Sequence, residues 1–376
     1  MLTFDEKLKR IEKRYKSGKD TENLALLKNR LTNRPVILYG LGFFGGVIVK
    51  NFAAHGIDVE CFCDSNKTGT DAETGLQIIS PDVLVSKFSG ANVVVSAAAP
   101  RTHKAIYDYV LKLGFNENQV FTFDNAFKFF KKSRVEVVNL TLDEIAPHLN
   151  GYKRIYDFLK DETSKAVVIK TIESYLFNDT FEYEPPDNSY FPDEIKLTDN
   201  EVFVDAGLYF GDTTKEFIKR VNGKYKHIYG FDIDEQNLER AIENLGEYSN
   251  IEIIPKGLWS GTCEQKAELG LLAGSNVKES ASSTVSLISL DELFSDKPAE
   301  VYPTFIKIDI EGSEKQALLG SEKTIKTARP IIAVCTYHKP EDIYELTDIL
   351  YKFNPDYSFM LKHYSPYTWD TVLYAY

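Results

Sequence analysis

Short apolar runs alternate with amphipathic stretches along most of the chain, and this pattern is typical of a β-sheet covered by helices on both faces. The alternation occurs in two series. The first lies in residues 34–126, with expected strands at 36–42, 59–66, 92–98 and 119–123. The second lies in residues 189–376, with expected strands at 201–207, 227–233, 251–258, 304–310, 330–337, 357–364 and 371–376. The sequence therefore predicts the α/β class, with two Rossmann-like domains.

Three segments lack this alternation. Residues 1–33 are strongly charged and are predicted to be helical. Residues 127–188 contain helical patterns and a Pro-rich stretch, so we expect a helical connector that packs on the second domain. Residues 261–283 are rich in Gly, Ser and Asn, and are expected to form a mobile insertion that carries acceptor specificity.

The end of the chain sets the direction of the last strand. Only residues 365–370 separate the two final expected strands, whereas a parallel crossover needs about a dozen residues or more. The last pair must therefore be antiparallel. A doubly wound sheet of seven strands that ends in an antiparallel strand is the layout of Rossmann-like methyltransferases, and nicotinamide dehydrogenases have a different one.

Charge and composition narrow the range of partners. The chain has 376 residues and a formal net charge of −12, which disfavours nucleic acid and anionic membranes as partners. The longest apolar stretch, 36–49, is too short to span a bilayer. The four cysteines are few and scattered, as is usual in a reducing compartment. We therefore expect a soluble, cytoplasmic protein, whose oligomeric state the sequence leaves open.

A glycine turn follows the first expected strand of the second domain, where α/β sheets bind their ligands. Its spacing, Asp205-x-Gly207-x-x-x-Gly211, differs from the Gly-x-Gly-x-x-Gly turn that wraps a pyrophosphate. Asp205 and Asp212 would repel phosphate, whereas carboxylates favour the sulfonium and ammonium groups of S-adenosylmethionine. Asp212 is equally compatible with simple capping of a helix dipole. Asp232 follows Gly211 by 21 positions, where a carboxylate accepts hydrogen bonds from ribose hydroxyls.

Six segments of the second domain resemble the FkbM-type methyltransferases in sequence and order. They are VFVDAGLYFGDT, GFDIDEQN, SLISLDEL, FIKIDIEGSEKQALLGSEKTI, ARPIIAVCTYHKPEDI and HYSPYTWDTVLYA. The resemblance covers residues 189–376, and the segment around IKIDIEGSE is its most specific part. It implies O-methylation that depends on S-adenosylmethionine, often of sugars and other hydroxyl-bearing natural products.

The resemblance also implies roles for individual residues. The chain departs from the family at Leu208-Tyr209, where a small residue followed by Asn is common, so the bulky tyrosine is expected to reshape the pocket. The implied cofactor positions are Asp205, Gly207 and Gly211 beside the methionine and ribose, Asp232 at the ribose, and Gly257, Leu258 and Trp259 near the adenine.

Methyl transfer to an alcohol needs a base that removes the hydroxyl proton. Asp309 and Glu311 follow the fourth expected strand, where cofactor and substrate meet in such sheets, and Asp309 is predicted to serve both. His338 and His363 lie at the ends of the fifth and sixth strands and are further candidates for the base, although each is also compatible with a purely structural role. Two carboxylates without a third ligand are weak evidence for magnesium, so no metal site is predicted.

The first domain has a glycine turn of its own, Gly40 to Gly45, between an expected strand and helix. With Asp64 at the end of the next strand, it matches the context of a dinucleotide fingerprint and would tolerate phosphate. The domain is similar to the small Rossmann-like modules attached to sugar-modifying enzymes, in which such a turn serves packing or binds a sugar nucleotide. A nucleotide or nucleotide-sugar ligand at this turn is therefore left open.

The sequence thus predicts an S-adenosylmethionine-dependent O-methyltransferase that acts on a sugar, glycan or related small molecule. Two alternatives act through the N-terminal glycine turn instead. They are an NAD(P)-dependent oxidoreductase and a sugar-nucleotide-binding protein. The methyl acceptor and the identity of the general base are not determined by the sequence.

Overall fold

The computed structural model describes residues 2–131, 138–184, 189–269, 275–277 and 281–376. The chain divides into two compact units. The described residues of 1–133, 138–142 and 173–180 form the first unit, and those of 143–172 and 181–376 form the second. No helix among the described residues is long and apolar enough to cross a membrane.

The N-terminal unit contains a six-stranded sheet. Its elements are α1 Phe4–Lys16, α2 Lys19–Thr32, β1 Val36–Tyr39, α3 Phe43–Ala54, β2 Cys61–Cys63, β3 Gly69–Thr70, β4 Gln77–Ile79, α4 Pro81–Phe88, β5 Asn92–Val95, α5 Pro100–Lys112, β6 Val120–Phe121 and α6 Phe123–Phe127. The strand order is β3-β4-β2-β1-β5-β6. The β3–β4 pair is antiparallel, and the other neighbouring strands pair in parallel.

Each of the four expected strands of this unit contains an observed strand, but two features were not expected. The charged segment 1–33 forms two helices, because Gly18 adopts a left-handed conformation between them, with φ of +69°. The hairpin of β3 and β4 has strands of only two and three residues, which are too short to show an alternating pattern.

The remaining elements begin at residue 142. They are α7 Leu142–Ile145, α8 Leu149–Phe158, α9 Glu162–Phe177, β7 Val202–Ala206, α10 Asp212–Arg220, β8 His227–Phe231, α11 Glu235–Leu245, β9 Ile251–Ile254, β10 Gly257–Leu258, β11 Cys263–Glu268, β12 Asn276–Val277, β13 Ser283–Ile288, α12 Leu290–Phe294, β14 Phe305–Ile308, α13 Glu314–Leu319, α14 Glu322–Ala328, β15 Ile331–Cys335, α15 Asp342–Phe353, β16 Phe359–His363 and β17 Thr371–Ala375.

Seven of these strands form the main sheet of the second unit, in the order β16-β17-β15-β14-β7-β8-β9. β17 pairs antiparallel with both β15 and β16, and the other neighbours pair in parallel. The predicted seven-stranded sheet with an antiparallel last strand is therefore confirmed. Aromatic side chains pack one face of this sheet against α10, and the rings of Phe203 and Phe217 stack with centroids 4.4 Å apart.

A smaller sheet in the order β10-β13-β11-β12 was not predicted. The strand expected at 251–258 is divided, because β9 stays in the main sheet while β10 pairs with β13. Pro255 lies between them and has no amide hydrogen, so it interrupts the ladder. Within the segment expected to form a mobile insertion, residues 263–268 form β11 and residues 276–277 form β12, while 270–274 and 278–280 lie outside the described residues.

One buried ion pair joins the two central strands of the main sheet. Lys307 in β14 lies directly opposite Asp205 in β7, and its Nζ is 3.0 Å from Oδ1 of Asp205. The same ammonium donates to the carbonyl oxygens of Ala206 and Gly207, at 3.2 and 2.6 Å. Thr214 Oγ1 donates to Asp205 at 2.7 Å. The pair therefore fixes the point at which β7 leaves the sheet and turns towards α10.

The lysine of this pair stays charged. Burial alone would lower the pKa of Lys307, but the negative charges of Asp205 and Asp309 outweigh burial and raise the pKa. Removing the ammonium would therefore leave the Asp205 carboxylate buried without a counter-charge.

We expect Lys307→Met to lower the free energy of unfolding by about 3–5 kcal/mol, the usual loss when one partner of a buried ion pair is removed. Urea denaturation followed by circular dichroism measures the change. Lys323→Met is the matched control, because Lys323 is exposed on α14, and it should shift the free energy of unfolding by less than about 0.5 kcal/mol. Equal shifts in the two variants would show that the pair does not support the sheet.

Candidate functional site

The second unit contains a cavity of about 290 Å³ at the carboxyl ends of β7, β8 and β14. Parallel α/β sheets present their ligand sites at this edge. Lys307 is the single basic side chain among the described residues that line the cavity. The acidic residues that line it are Asp212, Asp232, Asp309, Glu311 and Asp370.

The turn after β7 brings the backbone close to the neighbouring strand. Gly207 has φ of +84°, and a Cβ atom at this position would overlap the carbonyl oxygen of Asp309. Only glycine therefore allows this approach. Leu208 is fully buried against Leu245, whereas Tyr209 lines the cavity. Of the two residues that depart from the family pattern, the leucine belongs to the core and the tyrosine to the cavity wall.

Asp232 follows β8 and holds the same turn in place. Its Oδ2 accepts a hydrogen bond from the backbone N–H of Tyr209 at 2.8 Å, and its Oδ1 accepts one from Asp234 at 2.9 Å. Burial raises the pKa of Asp232, and the two backbone hydrogen bonds act in the opposite direction. Each carboxylate oxygen has a second lone pair, so Asp232 can still accept a hydrogen bond from a ligand.

Asp309 follows β14 and is held by two tyrosine hydroxyls. Tyr190 donates to its Oδ2 at 2.7 Å, and Tyr337 donates to its Oδ1 at 3.3 Å. Burial alone would raise the pKa of Asp309, but the positive charges of Lys307 and His338 and the hydroxyl donors lower it. This carboxylate therefore stays ionised at neutral pH.

His338 follows β15 and lies among three carboxylates. Its Nδ1 is 3.1 Å from Oε1 of Glu314, and its Nε2 is 3.4 Å from Glu311 and 3.7 Å from Asp309. Burial alone would lower the pKa of His338, but the neighbouring carboxylates, Glu314 first, raise it well above the ordinary value. The imidazole is therefore protonated at neutral pH and is the cation of this cluster.

The same cluster fixes the loop between β14 and α13. Glu314 is fully buried, and its Oε1 accepts hydrogen bonds from the backbone N–H groups of Ile310 and Gly312, at 2.9 and 3.2 Å. Ligand atoms of Asp309, Glu314 and His338 lie within 4.8 Å of one another, a spacing that a metal ion would also accept. The two ring nitrogens of His338 face different carboxylates, so the protonated imidazole pairs with more than one of them, as in an ion-pair network.

The structure brings together part of the predicted cofactor set. Gly207, Asp232, Gly257, Leu258 and Asp309 all line the cavity.

The other predicted cofactor residues do not line the cavity. Asp205 is fully buried and is bound to Lys307. Gly211 is the N-cap of α10 and has φ of +78°. Trp259 packs into the apolar cluster of the smaller sheet, against residues such as Leu287.

Of the four predicted catalytic residues, three line the cavity or contact residues that line it, and one does not. Asp309 and Glu311 line the cavity, and His338 contacts both carboxylates. The structure does not bring His363 to the cavity, because its ring stacks on Phe181 with centroids 3.6 Å apart. Its Nδ1 lies 2.8 Å from Thr371 Oγ1, and burial lowers its pKa to about 3.

Four residues of the site were not expected from the sequence. Tyr190 comes from the Pro-rich segment before β7, which carries no signal for a ligand. Tyr337 and Glu314 lie close in sequence to the predicted residues His338 and Glu311. The only sequence signal for them is that they belong to segments that resemble FkbM enzymes. Asp370 lies in the short connection before β17, and the resemblance of this segment to FkbM enzymes assigns it no role.

The glycine turn of the N-terminal unit is organised by its own aspartate. Asp64 Oδ2 accepts a hydrogen bond from Leu41 N–H at 2.9 Å, and Oδ1 accepts one from Asn66 N–H at 2.8 Å. Lys67 donates to the carbonyl oxygen of Leu41 at 2.9 Å. These contacts stabilise the turn, and they are consistent with a packing role.

Comparison with known proteins gives a match for the second unit. Residues 205–364 match the family described as Methyltransferase FkbM domain. No curated protein matches the chain. A solved structure of a methyltransferase FkbM from Methylobacillus flagellatus KT is similar over 97% of this chain and 99% of its own, with 21% identity and a TM-score of 0.65. That likeness shows the fold.

Two further solved structures match about half of the chain. Precorrin-6y C5,15-methyltransferase from Geobacter metallireducens GS-15 is 12% identical over 52% of this chain and 94% of its own, with a TM-score of 0.32. Fibrillarin from Aeropyrum pernix, solved with natively bound S-adenosyl-L-methionine, is 13% identical over 48% of this chain and 70% of its own, also with a TM-score of 0.32.

The family match covers the glycine turn, Asp232 and the cluster around His338, and the similar fold extends over nearly the whole chain. Residues 205–364 of the chain are therefore similar to the family described as Methyltransferase FkbM domain.

Proposed function

We propose that this protein is an S-adenosylmethionine-dependent methyltransferase that O-methylates a hydroxyl group of a sugar, glycan or related metabolite. The observation that carries the proposal is the acidic cavity beside the glycine turn of an FkbM methyltransferase domain. The hydroxyl acceptor rests on the resemblance to FkbM enzymes. Nothing in the comparisons supports the alternative of a nicotinamide-dependent oxidoreductase.

The charge of the cavity fits this cofactor. Five carboxylates line it, while its only lining cation among the described residues, Lys307, is already paired with Asp205. S-Adenosylmethionine carries a sulfonium and an ammonium group and no phosphate, so a negative potential attracts it. The same potential would oppose the pyrophosphate of a dinucleotide.

In this proposal the two ends of the cavity hold the two ends of the cofactor. Asp232 accepts hydrogen bonds from the ribose hydroxyls, and Gly257 and Leu258 lie beside the adenine. Gly207 lets the backbone approach the methionine part. Asp309 supplies a permanent negative charge near the cationic groups, because its pKa is lowered and two tyrosine hydroxyls fix its position.

The bound cofactor would supply an electrophilic methyl group on its sulfonium. The protein's contribution is positioning, which accounts for much of the acceleration in such displacements. Asp309 is held in one orientation by Tyr190 and Tyr337. His338 is already protonated and cannot accept the hydroxyl proton, so we assign it the role of holding Glu314 and, through it, the loop after β14.

We expect S-adenosylhomocysteine to bind in the micromolar range in calorimetric titration, and NAD to give no heat of binding. Asp232→Ala should weaken S-adenosylhomocysteine by about 1.5–3 kcal/mol, the scale for losing hydrogen bonds to a charged group. Asp64→Ala is the matched control, because Asp64 makes the same backbone contacts in the N-terminal unit. It should leave this affinity unchanged.

Each alternative outcome of this titration has a defined meaning. If NAD binds and S-adenosylhomocysteine does not, the proposed function is contradicted, and the turn from Gly40 to Gly45 becomes the expected ligand site. Equal losses of affinity in Asp232→Ala and Asp64→Ala would remove Asp232 from the cofactor site.

We expect the stabilising effect of His338 to depend on pH. A folded-state pKa raised above the unfolded value of about 6.5 gives stability that is fully present below pH ~6.5 and is lost as the pH rises through the folded pKa. The difference in unfolding free energy between wild type and His338→Gln should therefore fall by up to about 1.4 kcal/mol per pH unit above pH ~6.5. Urea denaturation at a series of pH values between 6.5 and 9 measures this slope.

His227→Gln provides the control for this slope. Burial lowers the pKa of His227, so the folded and unfolded states are both neutral above about pH 7.5 and the difference from wild type should be flat there. A flat profile for His338→Gln as well would show that His338 is neutral in the folded protein.

A further inference from the structure

Asp370 is one of the five acidic residues that line the cavity. It is the last residue before β17 and adopts a left-handed backbone conformation with φ of +69°. Its side chain lines the cavity that contains Asp232 and Asp309. Within the part of the chain that the structure describes, no hydrogen bond or ion pair of its carboxylate is found.

Asp370 also lines a second cavity of about 550 Å³, which we term the outer groove. The outer groove is large enough for a sugar-sized molecule. Four residues line both spaces, so the two are adjacent and meet at these side chains. They are Tyr190, Asp212, Thr213 and Asp370.

The surroundings of Asp370 make its carboxylate titratable near neutral pH. Burial, followed by the negative charges of Asp309 and Glu311, raises its pKa to about 7, and the positive charge of His338 acts in the opposite direction. The hydroxyls of Tyr190 and Tyr337 also face it, and burial holds the pKa of each tyrosine well above the ordinary value. A group that takes up a proton near the working pH suits general base catalysis.

Four other acidic and basic groups in or near the site are committed to other contacts. Asp309 accepts hydrogen bonds from two tyrosines and has a lowered pKa, so it is a weak base. Asp232 accepts hydrogen bonds from the backbone N–H groups of Tyr209 and Asp234. His338 is already protonated. His363 is buried in β16, where its Nδ1 lies within hydrogen-bond distance of Thr371 Oγ1 in β17.

We propose that Asp370 is the catalytic proton acceptor for a hydroxyl substrate bound in the outer groove. This inference rests on the proposed function. The O–H bond of the acceptor breaks and its proton passes to the Asp370 carboxylate, while the oxygen forms its bond to the methyl carbon and the electron pair of the broken carbon–sulfur bond stays on sulfur. The products are the methyl ether, a neutral thioether and protonated Asp370, which returns its proton to water.

The charge of the cofactor would prepare Asp370 for this role. A sulfonium beside the carboxylate favours the ionised form, so Asp370 loses its proton when the cationic cofactor binds. After transfer the sulfur is neutral and the carboxylate returns to its higher pKa, which favours the protonated state. S-Adenosylmethionine and S-adenosylhomocysteine should therefore differ in the protons that their binding releases.

Calorimetric titration of the full-length protein at pH 7, in two buffers of different ionisation enthalpy, counts these protons for each ligand. Because the pKa of Asp370 is about 7, the wild-type protein should release about half a proton more with S-adenosylmethionine than with S-adenosylhomocysteine. Asp370→Asn should abolish the difference. Asparagine tolerates the left-handed conformation, so this variant should keep its fold and bind S-adenosylhomocysteine within about threefold of wild type.

Asp212→Asn is the matched control, because Asp212 also lines both cavities but is exposed on the first turn of α10. It should retain the difference in proton release. Persistence of the difference in Asp370→Asn, or its absence in wild type while both ligands bind, would overturn the role of Asp370 alone. Failure of wild type to bind either ligand would instead overturn the proposed function.

Discussion

The site depends on one buried contact between the two central strands of the main sheet. Lys307 and Asp205 face each other across β14 and β7, and the lysine also binds the carbonyl oxygens of Ala206 and Gly207. The last residues of β7 are therefore fixed at the point where the chain turns. There Gly207 lies against the backbone of Asp309. Buried ion pairs contribute little net stability as a rule, but they specify geometry when every charge is satisfied. Here that geometry is the approach of the glycine turn to the residues that follow β14.

This arrangement divides the acidic side chains of the cavity into two kinds. Asp309 lies close to Lys307 and His338, so its pKa is lowered and it remains charged. At Asp370, burial and the negative charges of Asp309 and Glu311 outweigh the positive charge of His338, so its pKa is raised to about 7. The two carboxylates thus differ in charge at neutral pH because their environments differ. Such a division is common in enzymes that need one permanent charge and one titratable group. The pKa of His338 is raised by the carboxylates around it, which removes the histidine from the list of bases.

The sequence predicted the main sheet well, because its strands are apolar and its last connection is too short for a crossover. It could not predict that the segment 251–258 divides at Pro255, since both halves look equally apolar. In the site, Asp232 and Asp309 were identifiable because they follow strands directly. His363 was chosen by the same rule, but its side chain is sealed against Phe181, since a position at a strand end does not reveal which face it occupies. Tyr190 reaches Asp309 from a segment without a periodic pattern.

Asp64 and Asp232 show why a local motif is a limited guide to ligand binding. In both units an aspartate after the second strand accepts hydrogen bonds from the glycine turn and from a backbone N–H two residues further along its own chain. These bonds stabilise the turn whether or not a ligand is present. The second unit also has a cavity beside its turn, and further carboxylates reach this cavity from the loop after β14 and from the connection before β17. The turn therefore provides a place for a ligand, and the charge contributed by more distant strands decides which ligand that place can accept.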